Sequence, residues 1–185
     1  WIGTAGAGLN LLPHGSESFT VYQHQRADDA SINDDNVYSI LDEGDTVWVG
    51  TLKGLNRLER STGKFQAYMY DENNANSISD NGVGALLRSS SHVLWVGTDR
   101  GLNRFDEATG AFYRFTTANG MKNDFVYAIL EDDNGYLWLS SNDGLIRFDP
   151  INESFKTFDM NDGLLSNEFN SASAFVDRDG VFYFG

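Results

Sequence analysis

Short apolar stretches alternate with clusters of Gly, Asn, Asp and Ser along the whole chain, always in the same order. In residues 82–117, "GVGALLRS" is a small apolar run that reads as a strand buried on both faces. After a polar turn, "VLWVGT" alternates and is rich in β-branched and aromatic residues, as strands are. "DRG" then turns the chain into "LNRFD", and "EATG" turns it again into "AFYRFTT". The pattern predicts four short antiparallel strands joined by tight turns. No window carries a helical period.

The same order recurs along the chain. "VWVGTLKGLNRL" at 47–58, "LWVGTDRGLNRF" at 94–105 and "LWLSSNDGLIRF" at 137–148 repeat one another, and the chain opens with "WIGTAGAGLNLL". Trp1, Trp48, Trp95 and Trp138 recur at intervals of 47, 47 and 43 residues, and Tyr183 in "FYFG" takes the place of a fifth. The first strand of each period reads "NVYSILD" at 36–42, "FVYAILE" at 125–131 and "SASAFVD" at 171–177. The fourth is expected to begin at Phe19, Phe65, Phe112 and Phe155. For one period the strands are expected near 37–42, 47–51, 55–58 and 65–70. Gly8, Gly54, Gly101 and Gly144 precede the third strand, where a tight hairpin requires positive φ. Asn134–Gly135 and Asp179–Gly180 read as hairpin turns between first and second strands.

A four-stranded antiparallel unit repeated every ~40–50 residues is the signature of a β-propeller blade. The expected fold is therefore all-β, about four blades of about 45 residues. Residues 36–70, 82–117 and 125–159 form full blades, and 1–23 and 170–185 form partial ones. The partial blades are expected to be covered by further blades of a larger ring or by self-association of chains. A sheet of this size cannot bury both faces by itself. Trp48, Trp95 and Trp138, with Phe65, Phe112 and Phe155, are therefore expected to fill the wedges between neighbouring blades. Equivalent positions in every repeat read as core rather than as sugar-stacking platforms.

Charge narrows the function. Thirteen basic and 27 acidic residues give a formal net charge of −14, a field that repels nucleic acid and anionic membranes. The acidity itself reads as a solubility feature. There is no cysteine, which excludes disulfides and thiol chemistry. No apolar run approaches the ~20 residues of a membrane span, so no membrane insertion of this segment is expected. "EDDNG" and "DRDG" lack the ligand spacing and closing glutamate of a calcium loop. His14, His24 and His92 fall at three different positions in the repeat and cannot converge. No metal, cofactor or catalytic residue is expected.

"LWVGTDRGLNRFDEATGAFYRF" and "GMKNDFVYAILEDDNGYLWLSSNDGLIRFDP" resemble the two-component regulator propeller repeats. Those repeats read aliphatic–Trp–aliphatic–Gly–Thr, a turn, then Gly–Leu and an aromatic before Asp. "DGLLSNEFNSASAFVDRDGVFYFG" is similar to the repeat that commonly closes such propellers ahead of an immunoglobulin-like module. Ser140–Ser141 departs from the pattern by replacing Gly–Thr. The resemblance implies the periplasmic sensor region of a membrane-bound signalling protein, with a histidine kinase, hybrid or cyclic-dinucleotide output. It also implies a small-molecule or oligosaccharide ligand.

Candidate ligand contacts lie in loops expected on one rim, where second–third turns and blade-to-blade connections emerge together. The short turns carry Lys53, Asp99, Arg100, Asn142 and Asp143, and the longer loops carry Asn74, Asn123 and Asn167. These residues differ between otherwise matching repeats, as a specific site requires and as surface drift also produces. Two other classes compete with a sensor. A propeller enzyme, a lyase or oxidoreductase, would gather His or acids at the axis, and no motif supplies them. A scaffold or dimerising module would need no ligand.

Overall fold

The computed structural model of the chain describes residues 1–171 and 173–185. It is a series of antiparallel sheets in chain order. The first has three strands, β1 (Ile2–Gly3), β2 (Leu9–Leu11) and β3 (Thr20–Tyr22). Three four-stranded sheets follow: β4 (Val37–Asp42), β5 (Thr46–Thr51), β6 (Gly54–Glu59) and β7 (Lys64–Tyr68); β8 (Val83–Arg88), β9 (Leu94–Thr98), β10 (Gly101–Asp106) and β11 (Ala111–Phe115); β12 (Ala128–Glu131), β13 (Leu137–Ser141), β14 (Gly144–Asp149) and β15 (Ser154–Phe158). A hairpin of β16 (Ala174–Val176) and β17 (Phe182–Phe184) ends the series. The strand expected over 171–177 includes Ala172, which lies outside the described residues. The first strands β4, β8, β12 and β16 adjoin one another in turn, as the inner strands of propeller blades do.

Turn chemistry sets the strand ends. Thr51, Thr98 and Ser141 each donate a hydroxyl hydrogen bond to the carbonyl three residues on, at 2.9, 3.0 and 2.8 Å. That bond closes the second–third hairpin, and serine makes it as well as threonine does, so the Ser140–Ser141 departure is accommodated. Among the described residues most αL turn positions are glycine, but two are not: His92 has φ 62° and Glu153 has φ 50°. His92 stands where another repeat has Gly135, and Glu153 where others have Gly63 and Gly110. Two 3₁₀ turns, Thr117–Asn119 and Met160–Asp162, interrupt the loops expected to be irregular. Each is closed by a reciprocal side-chain cap, Thr116 with Asn119 and Asp159 with Asp162.

Among the described residues three buried clusters sit at the first three of the four junctions between neighbouring sheets. Trp48 packs edge-on against Phe105 of the next sheet at 5.2 Å, and Trp95 against Phe148 at 5.5 Å. Gly50 and Gly97 lie two residues past these tryptophans on the same face. A Cβ there would come within 2.6 Å of Val83 or Val126 on the next sheet. The glycine of the repeat is thus a close-approach requirement.

The expectation of a uniform aromatic core needs two corrections. Trp138 is half-buried, stacked on Phe158 at 5.4 Å, with the described strands β16 and β17 facing its sheet. Phe155 is also half-buried, resting on Phe148 at 4.7 Å, whereas Phe65 and Phe112 are buried. Phe19 lies outside β3 and is 51% exposed. The first strand expected to be buried on both faces is not: Val83 and Ala85 are buried, but Gly84, Leu86 and Leu87 are only half-buried, since an inner strand has a side facing the axis.

Trp95→Ala is expected to cost about 3–5 kcal/mol in chemical denaturation, and Trp138→Ala less than half of that, because its ring is already partly in water. His92→Gly is expected to raise stability by about 0.5–1 kcal/mol in the same measurement, by removing the αL cost.

Candidate functional site

Each second–third turn meets the loop that enters its own sheet, on the rim the sequence suggested. An Asx-type turn launches the first strand of each repeat. Asp34 accepts from Asn36 N–H, Asp80 from Gly82 N–H and Asn123 from Phe125 N–H, at 2.8, 2.8 and 2.9 Å. The residue before this position is clamped to the third strand. Asn33 and Asn56 exchange two hydrogen bonds, with Asn33 N–H donating to Asn56 Oδ1 at 3.0 Å and Asn56 Nδ2 to Asn33 Oδ1 at 2.7 Å. Ser79 and Asn103 do the same in the next repeat, at 2.9 and 2.8 Å. In the third repeat Asn gives way to buried Ile146, and the clamp is gone.

Most of the suggested residues are engaged by these loops. Lys53 pairs with buried Asp34 at 2.9 Å and Arg100 with Asp80 at 3.5 Å. Asp143 reverses the polarity and accepts from Lys122 at 3.4 Å, while Asn167 Nδ2 donates to it at 3.4 Å. Burial raises the Asp34 carboxyl, but the Lys53 and Asn36 hydrogen bonds outweigh it and hold it below the usual range. Asn123 is spent on its own turn. Asn74 is elsewhere: its loop runs along the outer strand β11, where Arg114 Nη2 donates to the Asn74 carbonyl at 2.9 Å. The loop descends there because Phe112 N–H donates to the Asn76 carbonyl at 2.8 Å, extending the sheet by one bond.

Asp99 and Asn142 occupy equivalent positions at turn tips, nearest the inner strands. Tyr127 donates its hydroxyl hydrogen bond to Asn142 Oδ1. Asp99 is exposed at its turn tip, but partial desolvation of its carboxyl and then the charge of Asp80 push that carboxyl above the ordinary range. Beside them an open cleft of about 300 Å3 runs along the inner strands, with Tyr38, Gly84 and Tyr127 at equivalent positions of three repeats. Tyr38 is 48% exposed, and Gly84 leaves the space between the two tyrosines free. The sequence offered one signal for this cleft, the unequal trio Tyr–Gly–Tyr at one repeat position. An apolar first strand hides that signal, because its sequence reads as covered on both faces. Among the described residues no group of three or more His, Asp or Glu side chains is gathered to hold a metal.

Sheets that adjoin through their inner strands, with a cleft on the axial side, define a β-propeller segment. A family model described as the two component regulator propeller matches residues 120–143. Two solved extracellular domains from B. thetaiotaomicron share the fold. One, from a hybrid two component system, has a TM-score of 0.77 at 23% identity over 90% of this chain and 23% of its own. The other, described as a one component system, has a TM-score of 0.79 at 22% identity over 100% of this chain and 24% of its own. Virginiamycin B lyase from Staphylococcus aureus is more distant, with a TM-score of 0.57 at 18% identity over 80% of this chain and 48% of its own. The chain spans about a quarter of the length of the first two. No curated protein matches it.

Asp99 supplies a pH test. A carboxyl raised in the folded state binds its proton more tightly there than in the unfolded chain. Its ionisation therefore lowers stability as pH rises from the ordinary carboxylate range through the raised value. Asp99→Asn is expected to be more stable than the parent at neutral pH, with the difference vanishing below the ordinary range. Denaturation midpoints measured across pH check this.

Proposed function

We propose that the chain is the ligand-sensing propeller portion of a periplasmic sensor in two-component-type signal transduction, and that its ligand is an oligosaccharide. The observation that carries this reading is the axial cleft. Two tyrosine rings flank a glycine, and the Asn142 amide stands beside one of them. Tyrosine faces suit the C–H faces of a pyranose, and an amide suits its hydroxyls. The regulator-propeller match at 120–143 and the likeness to extracellular domains support the sensor role and the extracytoplasmic location. No helix of the described residues is long and apolar enough to cross a membrane. On this reading the segment binds and transmits without catalysing a reaction.

One observation favours a second reading, a scaffold without its own ligand. Lys53, Arg100 and Asp143 are all held by ion pairs within the rim, so the turns fasten loops to blades. Calorimetric titration with an oligosaccharide panel separates the two. A bound oligosaccharide is expected to lose at least tenfold in affinity, ~1.4 kcal/mol, in Tyr38→Ala and in Tyr127→Ala. Tyr38→Ala, an exposed change, is expected to leave stability within ~0.5 kcal/mol. If no oligosaccharide binds the folded parent, or these variants bind as the parent does, the scaffold reading stands.

A further inference from the structure

The opposite rim, built from first–second and third–fourth turns, holds a different feature. Trp48 donates its indole N–H to Glu43 at 2.9 Å, and Trp138 donates to Asp132 at 2.8 Å. Both acids lie in the first–second turn of the same sheet. Trp95, 1% exposed, has no such partner: its Nε1 is one of two buried side-chain polar atoms left unpaired among the described residues. The turn position of the acid is Ser89, whose hydroxyl is already engaged, accepting from Val93 N–H at 3.1 Å and facing Ser91 Oγ at 2.9 Å. A buried donor without an acceptor costs the full desolvation of that group.

The surroundings have been rebuilt with it. At the preceding junction Arg88 bridges two acids, donating to Glu43 at 2.5 and 2.7 Å and to Glu107 at 2.8 Å. The equivalent three positions at the Trp95 junction are Ser89, Glu131 and Pro150. The guanidinium is replaced by a carboxylate, and both of its acids are lost. A cavity of about 260 Å3 opens there, lined by Trp95, Ser89, Glu131, Tyr136 and Pro150 among others. Glu131 accepts only from Ser90, from its N–H at 2.6 Å and its hydroxyl at 2.8 Å, and has no cation within ion-pair distance among the described residues. Arg147 is laid on the Tyr136 ring at 4.5 Å.

An unpaired buried donor and a carboxylate without a counter-charge are complementary to one kind of guest. We propose that this cavity binds a small cationic amine carrying an oxygen acceptor on a neighbouring carbon, an amino alcohol or its close analogue. The ammonium group sits against Glu131, in the role Arg88 plays one junction earlier, and the oxygen accepts from Trp95 Nε1. A simple anion is disfavoured by Glu131 and by the net charge of −14. This site is separate from the axial cleft and stands or falls without it.

The chain has four tryptophans, so its indole N–H resonances form a small set, and Trp95→Phe assigns the one of interest. Three matched probes are titrated against the intact chain: serinol, which has both groups, 1,3-propanediol, which lacks the amine, and isopropylamine, which lacks the oxygens. Serinol is expected to move the Trp95 resonance saturably, at least tenfold tighter than either half-probe, with Trp48 and Trp138 unmoved. Ser89→Asp, which gives Trp95 the acceptor that Trp138 has, is expected to abolish the response. Glu131→Gln is expected to weaken it at least tenfold, and it serves alone if Ser89→Asp does not fold. A flat serinol titration overturns the proposal. So does an equal response to 1,3-propanediol, or a response unchanged in the variants.

Discussion

The rest of the structure depends on the contact of one sheet's tryptophan with the next sheet's phenylalanine. A four-stranded sheet has two apolar faces and no helix to cover them, so each must be covered by its neighbour. Trp48 against Phe105 and Trp95 against Phe148 fill that space, and the edge-on geometry uses the positive ring edge against the negative face. The same contact fixes the glycine two residues on, because Val83 and Val126 arrive where a Cβ would be. Where the motif changes to Ser140, a Cβ is present at that position. Among the described residues the junction beyond it holds no counterpart of these buried clusters, and Trp138 is half-buried.

The loops add a second layer to this packing. Ile32, Ile78 and Met121 plug three successive junctions from the loops that cross them. The neighbouring polar clamps, Asn33 with Asn56 and Ser79 with Asn103, hold the plugs in place. Asn56, Ser79 and Asn103 are buried and Asn33 half-buried, and each pair is mutually satisfied, so removing one partner would leave the other unpaired. Position in the repeat thus determines which polar residues are structural and which remain available to a ligand.

The repeat and its strands were legible in the sequence because all copies carry the same alternation. Strand ends of the repeat at 37–70 fell within a residue or two, while β12 and β16 begin three residues later than the strands expected from 125 and 171. The Trp and Gly of "WVG" declared themselves by recurrence. Features that belong to a single copy were not legible. His92 and Glu153 hold αL turns that sister repeats give to glycine, and nothing in either residue announces it. Asn74 was placed on the rim by loop length, but a single backbone bond from Phe112 draws its loop along the outer strand. The Tyr38–Gly84–Tyr127 cleft was hidden by reading an apolar inner strand as covered on both sides.

The acidity has a structural origin that composition alone does not suggest. Asp34, Asp42, Asp80, Asp106, Asp132 and Asp149 each accept a hydrogen bond from the backbone N–H two residues on, at 2.8–3.1 Å. A fold made of short strands needs a turn every few residues, and aspartate closes such turns from its own side chain. The ionised form makes the stronger bond. The Thr109 hydroxyl beside Asp106 and the Asn152 amide beside Asp149 hold those carboxyls below the usual range, with backbone N–H groups adding to the effect. Stability from such groups is present above the ordinary carboxylate range and is lost as pH falls through their lowered values. Much of the net charge of −14 therefore follows from turn density. Solubility is its by-product, and the mutual repulsion of the acids is offset by bonds each one makes locally.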